Sequence, residues 1–136
     1  MPGTSTSNQS FYQTLASYVH KNEGHNDDVV FNYGANPASG WMFNSTNAKN
    51  ADVVVTFEGS YNTPGENPYT SWGPAPWERH YPASNFAALA YDAPDGATPQ
   101  PSSACTALLA QNLGYVYVGT WYDVLPPYFS TFLNEC

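Results

Sequence analysis

Residues 51–61 read ADVVVTFEGSY, and this stretch decides the class of fold. Its centre, residues 53–57, is a continuous run of mostly β-branched residues with no polar alternation. Such a run is typical of a strand that is covered on both faces, as the strands of parallel sheets are when helices connect them. The stretch therefore predicts a buried strand in a parallel α/β fold.

Three other apolar runs have the same form, and helical periodicity lies between or around them. Asn32 ends the first of these runs, Asp92 follows the second, and Gly119 follows the third. The patterns predict strands at residues 28–32, 52–58, 86–91 and 115–119, and helices at residues 9–22, 103–113 and 128–133. Residues 34–50 and 60–82 have the composition of loops.

The spacing of these strands favours a barrel-type architecture. Successive strand ends are about 30 residues apart, which is the length of one βαβ unit. The chain has 136 residues, enough for one domain with its own core, and we expect residues 1–136 to form a single domain. A complete (β/α)8 TIM-type barrel takes about 250 residues. The sequence thus predicts a partial barrel of about four parallel strands with helices.

Composition excludes several classes of partner. The chain carries 11 acidic residues against 3 Lys and Arg, for a net charge of −8. Nucleic-acid binding requires a cluster of basic side chains, so we expect no nucleic-acid partner. No stretch is long and apolar enough to cross a bilayer, and we expect no membrane span. A neutral or cationic partner is favoured instead.

The two cysteines point to a disulfide and an extracellular location. Cys105 and Cys136 are the only cysteines, and we expect them to pair because a chain terminus frays unless it is tied down. Two glycosylation sequons, at Asn8 and Asn44, also favour a secreted or cell-surface protein. Residues 1–7 do not have the apolar core of a signal peptide. Since no metal-ligand spacing is present, we expect neither a metal nor a cofactor.

Glu58 is the candidate catalytic carboxylate. It directly follows the buried run at residues 53–57, so it lies where the strand reaches the carboxyl edge of the sheet. Functional groups of parallel α/β folds gather at that edge. Gly59 and Ser60 come next, and we expect their small size to let a ligand approach the backbone. A solvated glutamate at a strand end is the alternative interpretation.

Other candidate substrate contacts are aromatic or polar. Flat aromatic side chains in exposed loops bind the C–H faces of sugar rings, and residues 61–81 are rich in them. The alternative is that these rings pack the loop against the sheet. Together with polar groups near the strand ends, the candidate substrate-binding residues are Asn32, Tyr61, Trp72, Trp77, His80, Tyr91 and Asp123.

The same stretch resembles a known family. Residues 51–61 match the "A-D-hydrophobic-TFEGSY" strand of spherulin-4-like proteins, and residues 11–19, 29–32 and 114–118 resemble flanking elements in the correct order. The family comprises secreted fungal and slime-mould proteins and includes glycoside hydrolases that cut α-linked galactosamine polymers. The resemblance implies that this chain corresponds to the C-terminal half of a barrel, that Glu58 is catalytic, and that the partner is a polysaccharide.

Two departures from the family pattern leave the activity open. The family has a strand ending in a catalytic Asp-Glu pair before the first helix, where this chain has Met1-Pro2-Gly3. Its last strand continues with Thr-Asp, whereas here Trp121 follows Thr120 and Asp123 is displaced. Three hypotheses follow: an inactive or weak hydrolase fragment, a non-catalytic secreted sugar-binding protein sensed by a host, or a hydrolase whose upstream half is absent from this chain.

Overall fold

The computed structural model describes residues 9–22, 28–34, 50–94, 100–121 and 124–136. The α-helices are α1 (Gln9–Asn22), α2 (Gln100–Leu109) and α3 (Phe129–Glu135), and the strands are β1 (Val30–Asn32), β2 (Val53–Ser60), β3 (Phe86–Tyr91) and β4 (Tyr115–Val118). Short 3-10 helices lie at Tyr69–Ser71, Pro76–His80 and Ala83–Asn85. Both sequons have their asparagine outside the described residues. No described helix has the length and apolar character needed to span a bilayer.

The four strands form one parallel sheet in the order β1-β2-β3-β4. This confirms the predicted α/β class, with a sheet and helices of the kind found in part of a barrel. The predicted second helix is shifted, because it ends at Leu109 and not at residue 113. Asn112 has a positive φ of 66°, a conformation that ends helices, and its side-chain amide donates to the carbonyls of Glu78 and Tyr81.

The main core lies between the sheet and the helices. Phe57 and Phe86 of the sheet pack there against α2 and α3, together with the other fully buried members of the cluster, Ala88, Ala90, Ala93, Ala104, Cys105, Leu108, Leu113, Val118, Tyr128 and Phe132. Val54 packs with Ala16 of α1 in an adjoining cluster. Cys105 and Cys136 form the predicted disulfide, with their Cα atoms 5.8 Å apart, and so join α2 to the end of α3.

The opposite side of the sheet, here called the inner face, has its own apolar cluster. Val53, Val55 and Ala87 are buried on it, and Leu89 packs against them. Burial falls off toward the outer strands, where Val30 is 55% and Tyr115 is 49% exposed. Both residues stand in register with members of the cluster, Val30 opposite Val53 and Tyr115 opposite Ala87. The inner face is therefore covered at its centre and open along its two margins.

A β-bulge at Thr56 decides on which face Glu58 lies. The register between β2 and β3 shifts between Val55 and Phe57, so Thr56 is an extra residue in β2. Side chains alternate between the faces of a regular strand, and without the extra residue Glu58 would point to the helix layer. With the bulge, Phe57 enters the helix-facing core and Glu58 stands in register with Leu89 of the inner face.

We expect the isolated chain to self-associate through its outer strands. In the described part of the chain, β1 pairs only with β2 and β4 only with β3, and the apolar side chains of Val30 and Tyr115 are exposed. Unpaired edges and exposed apolar faces favour association. Sedimentation velocity should give an average mass that rises with protein concentration. The double variant Val30→Lys/Tyr115→Lys should contain a larger fraction of monomer than wild type. A compact wild-type monomer at high concentration would contradict this expectation.

Candidate functional site

Asn32 at the end of β1 holds the carboxylate of Glu58 at the carboxyl edge of the sheet. Its amide nitrogen donates to Glu58 Oε2 over 2.7 Å. The orientation of the Asn32 amide is set from the other side, because the Gly34 backbone N–H donates to Asn32 Oδ1 over 2.8 Å. Glu58 remains exposed while most of its strand is buried. The edge therefore presents an oriented carboxylate to solvent, the group that the sequence marked as the catalytic candidate.

A tight turn after β2 brings a second carboxylate, Glu66, to the same edge. Residues 63–66 have the features of a type II turn, with Pro64 at its second position, Gly65 at φ 85° in its third, and the Glu66 N–H donating to the Thr63 carbonyl. Glu66 Oε2 then accepts a hydrogen bond of 2.9 Å from the hydroxyl of Tyr91, the last residue of β3. Glu66 was not among the predicted site residues, although Pro64-Gly65 indicates that the chain turns at this point.

The phenol of Tyr91 lies within the field of three carboxylates. Its pKa is raised, chiefly by the hydrogen bond to Glu66, then by loss of solvation, and further by the charges of Glu66, Asp92 and Glu58. Asp92 has a positive φ of 57° and its Oδ2 accepts from the Thr63 hydroxyl over 3.2 Å. Tyr91 is protonated at neutral pH, as an ordinary phenol is, and it donates its one hydroxyl proton to Glu66.

This arrangement is suited to polar, uncharged or cationic ligands. Carboxylates accept hydrogen bonds from hydroxyl and ammonium groups, and a positioned carboxylate can stabilise a developing positive charge or transfer a proton. Among the described residues, no group of three or more His, Cys, Asp or Glu side chains is arranged to hold a metal ion. The described side chains of the edge offer carboxylate acceptors, and the phenol of Tyr91 donates its proton to one of them, Glu66.

Two aromatic candidates lie near this edge but are half-buried. Tyr61 follows β2 directly, its ring lies 5.2 Å from that of Tyr69, and its pKa is raised to about 12, first by burial and then by Tyr69. Trp72 packs against the Phe57 ring, with centroids 5.3 Å apart, on the helix-facing side of the sheet. Both rings contact the main core, as the packing interpretation of this loop predicts.

Two other candidates lie toward the opposite edge. Trp77 packs against Phe86, the first residue of β3, with ring centroids 5.7 Å apart. His80 is exposed at the end of the same 3-10 helix, and Asn112, just before β4, binds the backbone of that helix. The structure therefore brings Asn32, Glu58 and Tyr91 together and does not bring Trp77 or His80 to them. Asp123 lies outside the described residues.

The space beside Gly59 is filled by protein. A Cβ atom at this position would lie 2.5 Å from the carbonyl oxygen of Asn67 and 2.7 Å from Cζ of Phe57. The sequence suggested that this glycine leaves room for a ligand at the backbone. Its small size instead lets the loop that carries Glu66 cross close over β2.

The four-stranded parallel sheet and its helices define an α/β protein whose fold is consistent with part of a barrel. The sequence profile of Spherulation-specific family 4 (Spherulin4) matches residues 1–136, and the chain belongs to this family. No curated protein and no solved structure matches the chain. The resemblance noted from residues 51–61 is thereby confirmed at the level of the family.

Proposed function

We propose that this chain is a secreted glycan-binding protein of the spherulin-4 family that acts on an amino-sugar polysaccharide of the galactosamine type. The observation that carries the proposal is the exposed Glu58 carboxylate, held by Asn32 on the inner face at the carboxyl edge of the sheet. Tyr91 holds a second carboxylate, that of Glu66, at the same edge. This is the edge at which parallel α/β enzymes bind substrates.

Charge supports a partly deacetylated, cationic polymer as the partner. The net charge is −8, and Glu58, Glu66 and Asp92 all contribute to the field at one edge. An acidic surface raises the local concentration of cations and speeds their association. The Cys105–Cys136 disulfide supports an extracellular location, because such bonds persist in oxidising compartments.

Catalysis by this chain is expected to be very slow. Glycoside hydrolysis uses two carboxyl groups on either side of the scissile bond, one of which donates a proton while the other attacks the anomeric carbon or activates water. Glu58 fills one of these roles. Glu66 and Asp92 are the other described carboxylates of this edge. Each accepts a hydrogen bond from a neighbouring hydroxyl, as Glu58 does from the Asn32 amide, so this contact marks neither of them for the second role. If neither Glu66 nor Asp92 supplies the second carboxyl group, the chain is a non-catalytic sugar-binding protein.

Glu58→Gln should weaken binding of partly deacetylated galactosamine oligosaccharides by about tenfold or more, since a hydrogen bond to a charged group contributes about 1.5–3 kcal/mol. Isothermal titration calorimetry measures the change. Wild-type binding should also weaken as salt is added, because charges are screened over about 8 Å at physiological ionic strength. Release of reducing ends should be at or near background for both proteins.

Glu135→Gln is the matched control, since it removes the same charge from α3. It should leave binding within a factor of about two, because the Glu135 carboxylate accepts a hydrogen bond from Ser102 of α2 and not from a side chain of the carboxyl edge. If Glu58→Gln and wild type bind the oligosaccharide equally well, Glu58 is not part of the binding site. Rapid cleavage by wild type that Glu58→Gln abolishes would show that the chain holds a second catalytic carboxylate, and Glu66→Gln and Asp92→Asn would then identify it.

A further inference from the structure

Trp121 differs from the other described tryptophans in its exposure. Trp72 and Trp77 are half-buried and pack against the main core, whereas Trp121 is 57% exposed. It follows β4 at the carboxyl edge, the edge that also carries Glu58. Val124 and Leu125, which come shortly after it, are exposed as well. The edge therefore presents an aromatic side chain with more than half of its surface open to solvent.

The backbone that carries Trp121 is held in place. The Tyr117 hydroxyl donates to the Trp121 carbonyl over 3.2 Å, and the Thr120 hydroxyl donates to the Ala93 carbonyl over 2.8 Å. The Ala93 N–H donates in turn to the Gly119 carbonyl over 3.1 Å. A ring on an anchored backbone loses less conformational freedom on binding than a ring on a free loop.

Gly119 makes this anchoring possible. A Cβ atom at Gly119 would overlap the ring and hydroxyl of Tyr117. Since glycine has none, the Tyr117 side chain lies along the end of β4 and reaches the carbonyl two residues beyond Gly119. The backbone of the Gly119-Thr120-Trp121 segment is thus held in place at the end of β4.

The register of the sheet gives the separation between Glu58 and Tyr117, the residue whose hydroxyl contacts the Trp121 backbone. Glu58 pairs with Leu89, and Leu89 pairs with Tyr117, so the three residues form a row across β2, β3 and β4. Neighbouring strands are about 4.8 Å apart, which places Glu58 and Tyr117 roughly 10 Å apart across the sheet. A short oligosaccharide spans such a distance, and a single sugar ring does not.

We propose that Trp121 is a stacking platform for a sugar ring of a bound oligosaccharide, remote from the ring that contacts Glu58. This inference rests on the proposed glycan-binding function. The indole face packs against the apolar C–H face of a pyranose, and it also attracts the ammonium group of a deacetylated sugar. Tyr117 acts as a positioning residue through its hydrogen bond to the Trp121 backbone. The polymer runs across the carboxyl edge from β2 to β4.

The test compares galactosamine monosaccharide with a partly deacetylated oligosaccharide of at least four rings, by calorimetry. Trp121→Ala should weaken oligosaccharide binding by roughly 3- to 10-fold, the range for loss of one aromatic contact, and leave monosaccharide binding unchanged. Tyr117→Phe should also weaken oligosaccharide binding, but by a smaller factor. Phe11→Ala, which removes an exposed ring on α1, is the matched control and should change neither. In wild type, the Trp121 indole N–H resonance, assigned by its loss in Trp121→Ala, should shift with oligosaccharide.

The outcomes separate this inference from the function on which it rests. If wild type binds oligosaccharide and Trp121→Ala binds it equally well, the stacking role is wrong and the proposed function stands. If Trp121→Ala changes the sedimentation of the protein but not its binding, the ring belongs to a contact between copies and the inference is overturned. If wild type binds no oligosaccharide, both proposals are wrong. Because Trp121 is exposed, its replacement should leave the thermal midpoint unchanged, which controls for misfolding.

Discussion

Replacing both Cys105 and Cys136 with alanine is expected to lower the free energy of unfolding by about 3–4 kcal/mol. The disulfide closes a loop with a sequence separation of 31, and the chain-entropy model assigns a stabilisation of about this size to such a loop. The bond also holds α3 against the core, where Tyr128 and Phe132 are buried. Urea denaturation followed by circular dichroism measures the difference.

Reduction of the wild-type protein is the control for the disulfide itself, since it opens the bond without removing side-chain atoms. Reduced wild type and the double variant should unfold at similar urea concentrations. Cys105 is fully buried on α2. If the double variant has a lower free energy of unfolding than reduced wild type, the difference is the cost of replacing a buried cysteine with the smaller alanine. Titration of two reactive thiols in the native, unreduced protein would contradict the pairing.

Gly59→Ala should destabilise the protein by about 1–3 kcal/mol and also weaken glycan binding. The new methyl group would meet the Asn67 carbonyl and the Phe57 ring, and the cost is that of overpacking a well-filled site. Asn67 belongs to the loop that carries Glu66, so relief of the clash moves Glu66 away from Tyr91. Thermal denaturation and calorimetry with the galactosamine oligosaccharide measure the two effects.

Gly73→Ala is the matched control for this substitution. An added Cβ atom at Gly73 meets nothing within 4 Å, and its φ is not in the left-handed region. The same chemical change at this position should shift stability by less than about 0.5 kcal/mol, as surface substitutions usually do. Equal stability of Gly59→Ala and wild type would show that the loop after β2 is not packed tightly over the strand.

The sequence alone predicted the class of fold and the position of Glu58. The run at residues 53–57 indicated a strand covered on both faces, and the next residue had to lie at the end of that strand. The disulfide was also predictable, because the chain contains two cysteines. The family could be inferred from the motif at residues 51–61 and is confirmed by the match over the chain. These features depend on consecutive residues or on composition.

The details of the site depend on contacts between distant segments. No local pattern showed that Thr56 forms a bulge, although the bulge decides that Glu58 faces inward. Tyr61, Trp72, Trp77 and Trp121 are all aromatic residues in polar loops, and the sequence favoured the first three as sugar contacts. The fold packs Trp72 and Trp77 against the core and leaves Trp121 exposed. Local periodicity predicts which residues form a strand or a helix. Strand register and side-chain burial depend on which segments pack together, so only the tertiary structure decides them.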